Sequence, residues 1–171
     1  METDVSKLIL LAFTGALLWS VAAASEVDKV SQVFIRDAIQ GNFAKIQLGQ
    51  LAQEKAQSTE VKSYGQMLVK DHSAANDQAE KVAEEVGVTA PTEPSVTQKA
   101  VYDRLSRLSG ATFDREFARE MVADDKINIL RFQNEAKKKN DPVADFANRM
   151  LPTLQKHLDS AQKLSQSLTF E

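Results

Sequence analysis

The chain contains no cysteine. A disulfide framework is therefore excluded, even if the protein is exported to an oxidising compartment. The same absence leaves no cysteine after the amino-terminal apolar run to accept a lipid anchor. The single tryptophan, Trp19, lies within that run and would leave with it on cleavage.

The sequence also lacks an excess of charge of either sign. Its 171 residues carry a formal net charge of −3, which argues against nucleic acid as a partner. With 43% hydrophobic and 26% charged residues, the composition is that of one ordinary globular domain. No glycine-rich phosphate-binding loop, dinucleotide-binding fingerprint or nucleophile elbow occurs.

One long apolar run is present, from Leu8 to Ala24. Its length and its small-residue ending, Ala22-Ala23-Ala24, predict a signal peptide at residues 1–24 that is cleaved before Ser25. The alternative is an uncleaved membrane anchor, because about 17 to 25 apolar residues span a bilayer. We expect a periplasmic or secreted domain at residues 25–171, with no stable membrane insertion after the leader is removed.

The rest of the chain shows four apolar stripes at helical spacing, each interrupted by one polar residue. The first stripe comprises Val30, Phe34, Ala38, Gly41, Lys45, Leu48 and Ala52. The second comprises Val61, Gly65, Leu68, His72, Ala75, Ala79, Val82 and Val86. The third comprises Ala118, Val122, Asp125, Ile129, Phe132 and Ala136. The fourth comprises Val143, Ala147, Met150, Leu154, His157, Ala161, Leu164 and Leu168.

The interrupting residues are Lys45, His72, Asp125 and His157, which we call the polar layer. Each lies about 12 to 17 positions, or about 18 to 26 Å, from the turn of its helical hairpin. The spacing therefore predicts that all four side chains meet at the middle of a helical bundle.

Turn signals divide the stripes into two hairpins, at about 29–86 and 113–168. Ser58 or Thr59 is the expected cap of the second helix, and Asp141-Pro142 begins the last helix. The connection between the hairpins is long, with prolines at 91 and 94 followed by a short helix at about 97–108. This pattern predicts an all-α, ferritin-like four-helix bundle with a crossover. Pro152, inside the last helix, predicts a kink of either structural or functional origin.

A carboxylate-bridged di-iron site is not expected, because Val69 and Leu154 stand where each Glu-x-x-His motif needs glutamate. A mononuclear iron or zinc site remains an alternative; its ligands would be the polar-layer residues His72, Asp125 and His157. Asp71 and Asp124 would support such a site, or Asp71 would simply face solvent. Lys45 argues against a metal, because its ammonium would repel a cation and pair with Asp125. No cofactor is therefore expected, and a structural layer is favoured over a metal, proton-transfer or redox site.

Four segments resemble a bacterial exported family catalogued as domain of unknown function 4142. They are Gly41 to Gly49, Met67 to His72, Phe113-Asp114 with Met121 to Asp125, and Leu151 to Leu158. The resemblance implies a ferritin-like fold over nearly all of the mature chain. It also implies glutamate at the position of Lys45 and histidine at that of Asp125 in typical members, so that an ancestral metal-competent layer is weakened or lost here.

Together these observations predict a non-catalytic exported bundle that acts through an unknown protein or envelope partner. The alternative is a metal-binding or stress-linked ferritin-like protein that uses His72, Asp125 and His157.

Overall fold

A computed structural model describes residues 27–169 of the chain. These residues form five helices and no strand. The helices are α1 (Lys29–Lys55), α2 (Thr59–Glu85), α3 (Val96–Ser106), α4 (Gly110–Glu135) and α5 (Pro142–Ser167). The predicted all-α class is confirmed, and the short helix α3 lies in the crossover. The predicted signal peptide, residues 1–24, lies outside the described residues.

Local capping explains where the helices begin. Ser58 Oγ accepts hydrogen bonds from two backbone N–H groups in the first turn of α2. The Asp141 side chain caps α5 by accepting one such bond, from the N–H of Val143, with Pro142 at the first helical position. Gly87, just after α2, has a φ of +69°, a conformation that glycine adopts without strain. The caps expected from the sequence at Ser58 and Asp141 are therefore confirmed.

Two large apolar clusters fill most of the bundle, and a small third one comprises Ile129, Leu154 and Leu158. One lies toward the α1–α2 turn and includes Leu51, Leu68, Phe113 and Phe117. The other lies toward the α4–α5 turn and includes Phe34, Ile35, Ile39, Val143 and Phe146. On each of the four long helices, the polar-layer residue falls between the parts of the helix that belong to these two clusters. The polar layer therefore lies between the two large clusters.

The first stripe was assigned wrongly at its start. Val30 was predicted to face the core but is 67% exposed, whereas Ile35 and Ile39 are fully buried. A seven-residue repeat drifts around a straight helix of 3.6 residues per turn, so the true buried face of α1 has moved away from Val30. Ser31, next to Val30, occupies the core position instead, with no exposed surface.

Helix α5 continues through Pro152, which lies on its exposed side. Asn148, whose carbonyl loses its helical partner to the proline, is exposed as well. Water can therefore hydrate that carbonyl, which favours the structural interpretation of Pro152 over the functional one. Across residues 27–169, no helix combines the length and the apolar character that a membrane span requires.

Candidate functional site

Lys45 of α1 is the centre of the polar layer and is only 4% exposed. Its Nζ atom lies 2.7 Å from Asp125 Oδ1, 3.0 Å from Asp124 Oδ2 and 3.5 Å from Met121 Sδ. All three acceptors come from one face of α4, which runs beside α1. An ammonium group has three N–H donors, so Lys45 has a partner for each of them.

The ionisation of Lys45 follows from these neighbours. Burial lowers its pKa, but the negative charges of Asp124 and Asp125 outweigh that effect and hold the pKa above its usual value of 10.5. Lys45 is therefore charged at neutral pH and forms a buried ion pair with Asp125.

Asp125 of α4 has no exposed surface. Its second oxygen, Oδ2, lies 3.3 Å from the hydroxyl of Tyr64, a buried residue of α2. Sequence reasoning missed Tyr64, although it was detectable: Tyr64, Leu68 and His72 follow each other at intervals of four residues, on one face of α2. Asp125 therefore connects α4 to both helices of the first hairpin, α1 and α2.

Asp124, the neighbour of Asp125, forms the outer edge of the layer. Its side chain is 42% exposed and also accepts a hydrogen bond from Asn128 Nδ2 at 2.8 Å. The Lys45 ammonium is thus bound by one fully buried and one partly exposed carboxylate.

His72 of α2 is paired with a residue that sequence reasoning also missed. Its Nδ1 atom lies 2.9 Å from Oδ1 of Asn42, which is 7% exposed. With the amide oxygen of Asn42 facing the ring, Nδ1–H donates to it and Nε2 is left with a free lone pair; with the amide turned over, Nδ1 would accept and Nε2 would carry the proton. Within residues 27–169, Nε2 has no hydrogen-bond partner. Burial, followed by the charge of Lys45, holds the pKa of His72 well below 6.5, so the ring is neutral.

His157 of α5 has no exposed surface, and its Nε2 atom lies 2.9 Å from Asp71 Oδ2. The interpretation of Asp71 as merely solvent-facing is therefore wrong, since its side chain is 22% exposed and bonded across the bundle. Burial lowers the pKa of His157, although the hydrogen bond to Asp71 opposes the effect. The rings of His72 and His157 lie 5.1 Å apart, centre to centre. The structure thus brings the four predicted residues together as two contacts, Lys45 with Asp125 and His72 beside His157.

Residues 17–164 match the family described as a domain of unknown function, DUF4142. The chain belongs to the DUF4142 family. No curated protein and no solved structure matches the chain. Membership therefore agrees with the resemblance seen in the sequence and assigns no activity.

The polar layer of this DUF4142 member fits a metal ion poorly. Among the described residues, no three histidine, aspartate or glutamate side chains are grouped so that they would hold one. The two oxygens of Asp125 are engaged by Lys45 and Tyr64. An ammonium at 2.7 Å from the only buried carboxylate of the layer would also repel a cation.

The DUF4142 bundle has a second buried polar cluster, beside the α4–α5 turn. Ser31 Oγ contacts the carboxylates of both Glu135 and Asp141, and Lys138 Nζ lies 2.8 Å from the same hydroxyl. Lys138 also lies 3.0 Å from a carboxylate oxygen of Glu135. Sequence reasoning missed this cluster because it placed Val30, and not Ser31, on the buried face of α1. Its contacts tie the start of α1 to the second hairpin.

Proposed function

We propose that this protein is an exported, non-catalytic helical bundle that acts through contacts with a protein or envelope partner. In this proposal the polar layer is structural: it sets how the first hairpin (α1 and α2) pairs with the second hairpin (α4 and α5). The proposal of export rests on the apolar run at residues 8–24 and its alanine ending.

One observation carries the structural role: polar contacts made by Lys45, Asp125 and His157 cross from one hairpin to the other. Lys45 of α1 binds Asp125 of α4, and Asp71 of α2 binds His157 of α5. The hydroxyl of Tyr64 adds a third crossing contact, to Asp125. Sliding one hairpin by a helical turn, about 5.4 Å, would break all three contacts and leave buried charges unpaired.

Energetics support specificity rather than net stability as the purpose of these contacts. Removing both charges from water offsets most of the attraction between them, so a buried ion pair adds little stability over apolar side chains. Removing one partner alone costs about 3 to 5 kcal/mol, because the other charge stays buried without compensation. The pair therefore penalises incorrect pairing of the hairpins more than it stabilises the correct one.

A double-mutant cycle tests the structural role. Lys45→Met and Asp125→Leu should each lower the free energy of unfolding by about 3 to 5 kcal/mol, whereas the double variant should recover most of that loss. The matched control is the exposed pair Lys99–Glu93, at 2.7 Å, where Lys99→Met should cost less than about 1 kcal/mol. Small, additive effects at Lys45 and Asp125 would contradict the proposal.

Export is tested separately, by amino-terminal sequencing of protein recovered from the cell envelope and medium. The expected mature chain begins at Ser25 and has no tryptophan fluorescence, because Trp19 is the only tryptophan. A mature chain that retains Trp19 and sediments with membranes would favour the uncleaved anchor. Protein found only in the cytoplasm would reject export.

A further inference from the structure

The crossover helix α3 is attached to the bundle through few buried side chains. Of its eleven residues only Leu105 is buried, whereas each of the four long helices buries at least eight. Pro94, just before α3, is buried as well. Val101, Tyr102 and Leu108 pack against the same apolar cluster as Leu105 but remain partly exposed. Because burial of apolar surface holds a helix in place, α3 is the least firmly attached of the five helices.

The contact of α3 with α1 and α4 is also incompletely packed. A space of about 40 Å³ is lined by all three helices, including Gln98 and Val101 of α3, Ala44 of α1 and Met121 of α4. Gln98 lines a second cavity as well, of about 170 Å³. Atoms on either side of such a space lose the attraction that direct contact would give, so both spaces weaken the attachment of α3.

Both cavities reach the polar layer. Lys45 lines the two of them, Asp124 lines the smaller one, and Asn42 and His72 line the larger one. Since Gln98 of α3 lines both cavities too, a movement of α3 away from α1 and α4 would widen them into a cleft that ends at Lys45. The position of α3 therefore decides whether solvent reaches the charged side of the layer.

Among residues 27–169, one ion pair joins α3 to another helix. Arg104 of α3 pairs with Glu120 of α4, and their side chains are 49% and 26% exposed. The other ion pair of α3, Lys99 with Glu93, lies within the crossover itself and does not attach it to the bundle. Exposed ion pairs add little stability, so Arg104 holds α3 only weakly.

The two ends of α3 can act as hinges. Thr92 and Glu93, which precede the helix, are exposed. Gly110, at the start of α4, has a φ of +59°, in a region where glycine moves without strain. Ser109, the cap residue of α4, makes no capping hydrogen bond through its side chain. Hinges of moving segments are commonly a few residues of this kind, in loops and at the ends of helices.

We propose that α3 is a lid over the polar layer, which opens as a unit about these two hinges while the four long helices stay folded. In the open state the two cavities form one cleft along α1 and α4, through which solvent reaches the Lys45 ammonium and the Asp124 carboxylate. The lid thereby controls access to the charged side of a layer that is otherwise buried.

A single introduced thiol reports the opening, because the chain has no cysteine of its own. Ala44→Cys places the thiol in the wall of the smaller cavity, beside Gln98 and Val101. Ala75→Cys, on α2, is the matched control, since both alanines are 8% exposed and Ala75 lines neither cavity. Without denaturant, a chromogenic disulfide reagent should label Ala44→Cys at least about 100-fold faster than Ala75→Cys, each rate being divided by that of the urea-unfolded variant.

The ion pair of Arg104 gives a second comparison, in the Ala44→Cys background. Arg104→Ala removes the charged contact of α3 with α4 and should raise the labelling rate about two- to fivefold. Arg119→Ala removes an exposed pair within α4, that of Arg119 with Glu116, and should leave the rate unchanged. Thermal unfolding verifies that each variant is folded.

Hydrogen exchange of the unaltered protein distinguishes a lid from a fraying helix, and it needs no cysteine variant. Opening as a unit exposes all hydrogen-bonded amides of α3 together, so they should share one free energy of opening, lower than that of the buried amides of α2. Fraying instead frees the amides at the ends of α3 before those in its middle.

Three results would overturn the proposal. Equally slow labelling of Ala44→Cys and Ala75→Cys would show that α3 leaves the bundle only when the whole fold is lost. Labelling of Ala44→Cys as fast as in its urea-unfolded form would show that nothing covers this position. Exchange in α3 that slows steadily from its ends to its middle would show fraying in place of an opening lid.

Discussion

Helices α1 and α2 touch through their backbones where Gly49 faces Gly65. A Cβ atom on Gly49 would lie 2.6 Å from the carbonyl oxygen of Gly65, and a Cβ atom on Gly65 would lie 2.6 Å from that of Gly49. No side chain fits at either position unless the helices separate. The two glycines therefore set the distance between α1 and α2, and with it the reach of Asn42 on α1 to His72 on α2.

Gly49→Ala should consequently lower the free energy of unfolding. Overpacking of a tightly packed interface costs about 1 to 3 kcal/mol, which exceeds the gain of about 0.5 to 1 kcal/mol that alanine brings to a helix interior. Gly41→Ala is the matched control: its Cβ atom would meet only Gln98 Nε2, at 3.7 Å. Urea unfolding of both variants should show opposite signs, and a stabilised Gly49→Ala variant would contradict the close approach.

Asp114 should also contribute to stability, although less than the ion pair of the polar layer. This residue of α4 is 2% exposed and accepts hydrogen bonds from the backbone N–H groups of Gln57 and Ser58, at 3.2 and 2.7 Å. It thereby fastens the α1–α2 turn to the second hairpin. Asp114→Ala leaves two N–H groups without their acceptor, and we expect a loss of about 2 to 3 kcal/mol in thermal unfolding.

The exposed Asp145 provides the comparison for Asp114. It lies in the first turn of α5, where its charge only complements the helix macrodipole, so Asp145→Ala should cost less than about 1 kcal/mol. Asp114→Asn keeps one acceptor oxygen, so its loss of stability should lie between those of Asp114→Ala and Asp145→Ala. Equal stability of the alanine variants would show that the contacts of Asp114 contribute nothing.

Acidification should destabilise the fold through His72 and His157, the only two histidines in the sequence. Burial lowers the pKa of both rings below the ordinary value of 6.5, so the unfolded chain binds protons that the folded chain does not. Their contribution to stability is complete above pH 6.5 and is lost as the pH falls below it. Below pH 6.5, the free energy of unfolding should fall with pH by up to about 1.4 kcal/mol per pH unit for each proton that the unfolded chain binds.

The measurement is the free energy of unfolding in urea between about pH 7.5 and about pH 5, above the range in which ordinary carboxylates titrate. His72→Gln removes one of the two titrating rings, so it should reduce the dependence of the free energy of unfolding on pH by the contribution of one proton. A stability that does not change over this interval would show that the two rings titrate normally in the folded protein.

Exchanging the charges of the layer should create metal affinity. Lys45→Glu with Asp125→His removes the ammonium and places a carboxylate and a third imidazole beside His72 and His157. These are the residue types that the family resemblance implies for typical members, and they are common zinc ligands. Calorimetry should detect zinc binding by the double variant and little by the unaltered protein. Adding His72→Ala should weaken the binding about tenfold or more, and zinc binding that survives this change unaltered would place the metal elsewhere.

Much of the fold was predictable because it depends on local signals. Ser58 and Asp141 cap helices through hydrogen bonds to residues two or three positions away. Pro142 is favoured in the first turn of a helix because that position needs no backbone N–H donor. The apolar spacing around His72 and His157 likewise indicated which face of α2 and α5 is buried. The choice between Val30 and Ile35 was not predictable in the same way, because it depends on how α1 is rotated against the other helices.

The partners of the site residues were the least predictable part. Lys45 and Met121 are separated by 76 positions, and Asp71 and His157 by 86. Asn42 lies one turn from Lys45 on α1, yet nothing in its local sequence shows that it bonds His72 on the neighbouring helix. Such pairs form when the helices pack against one another. The spacing of apolar residues along one helix indicates only that a residue faces the core, not which residue it contacts there.

By itself, the sequence determined that four long helices form, where they begin, and that an ammonium, a carboxylate and two imidazoles point into the core. Periodicity and capping act over a few residues, so both can be recognised in the amino-acid sequence alone. The pairing of Lys45 with Asp125 was also expected. Only the tertiary structure decided that Lys45 binds Asp124 as well, that His157 binds Asp71, and that a cavity remains beside Asn42 and His72. Those outcomes depend on the distances and rotations between helices. Gly49 and Gly65 set one of these distances, the separation of α1 from α2.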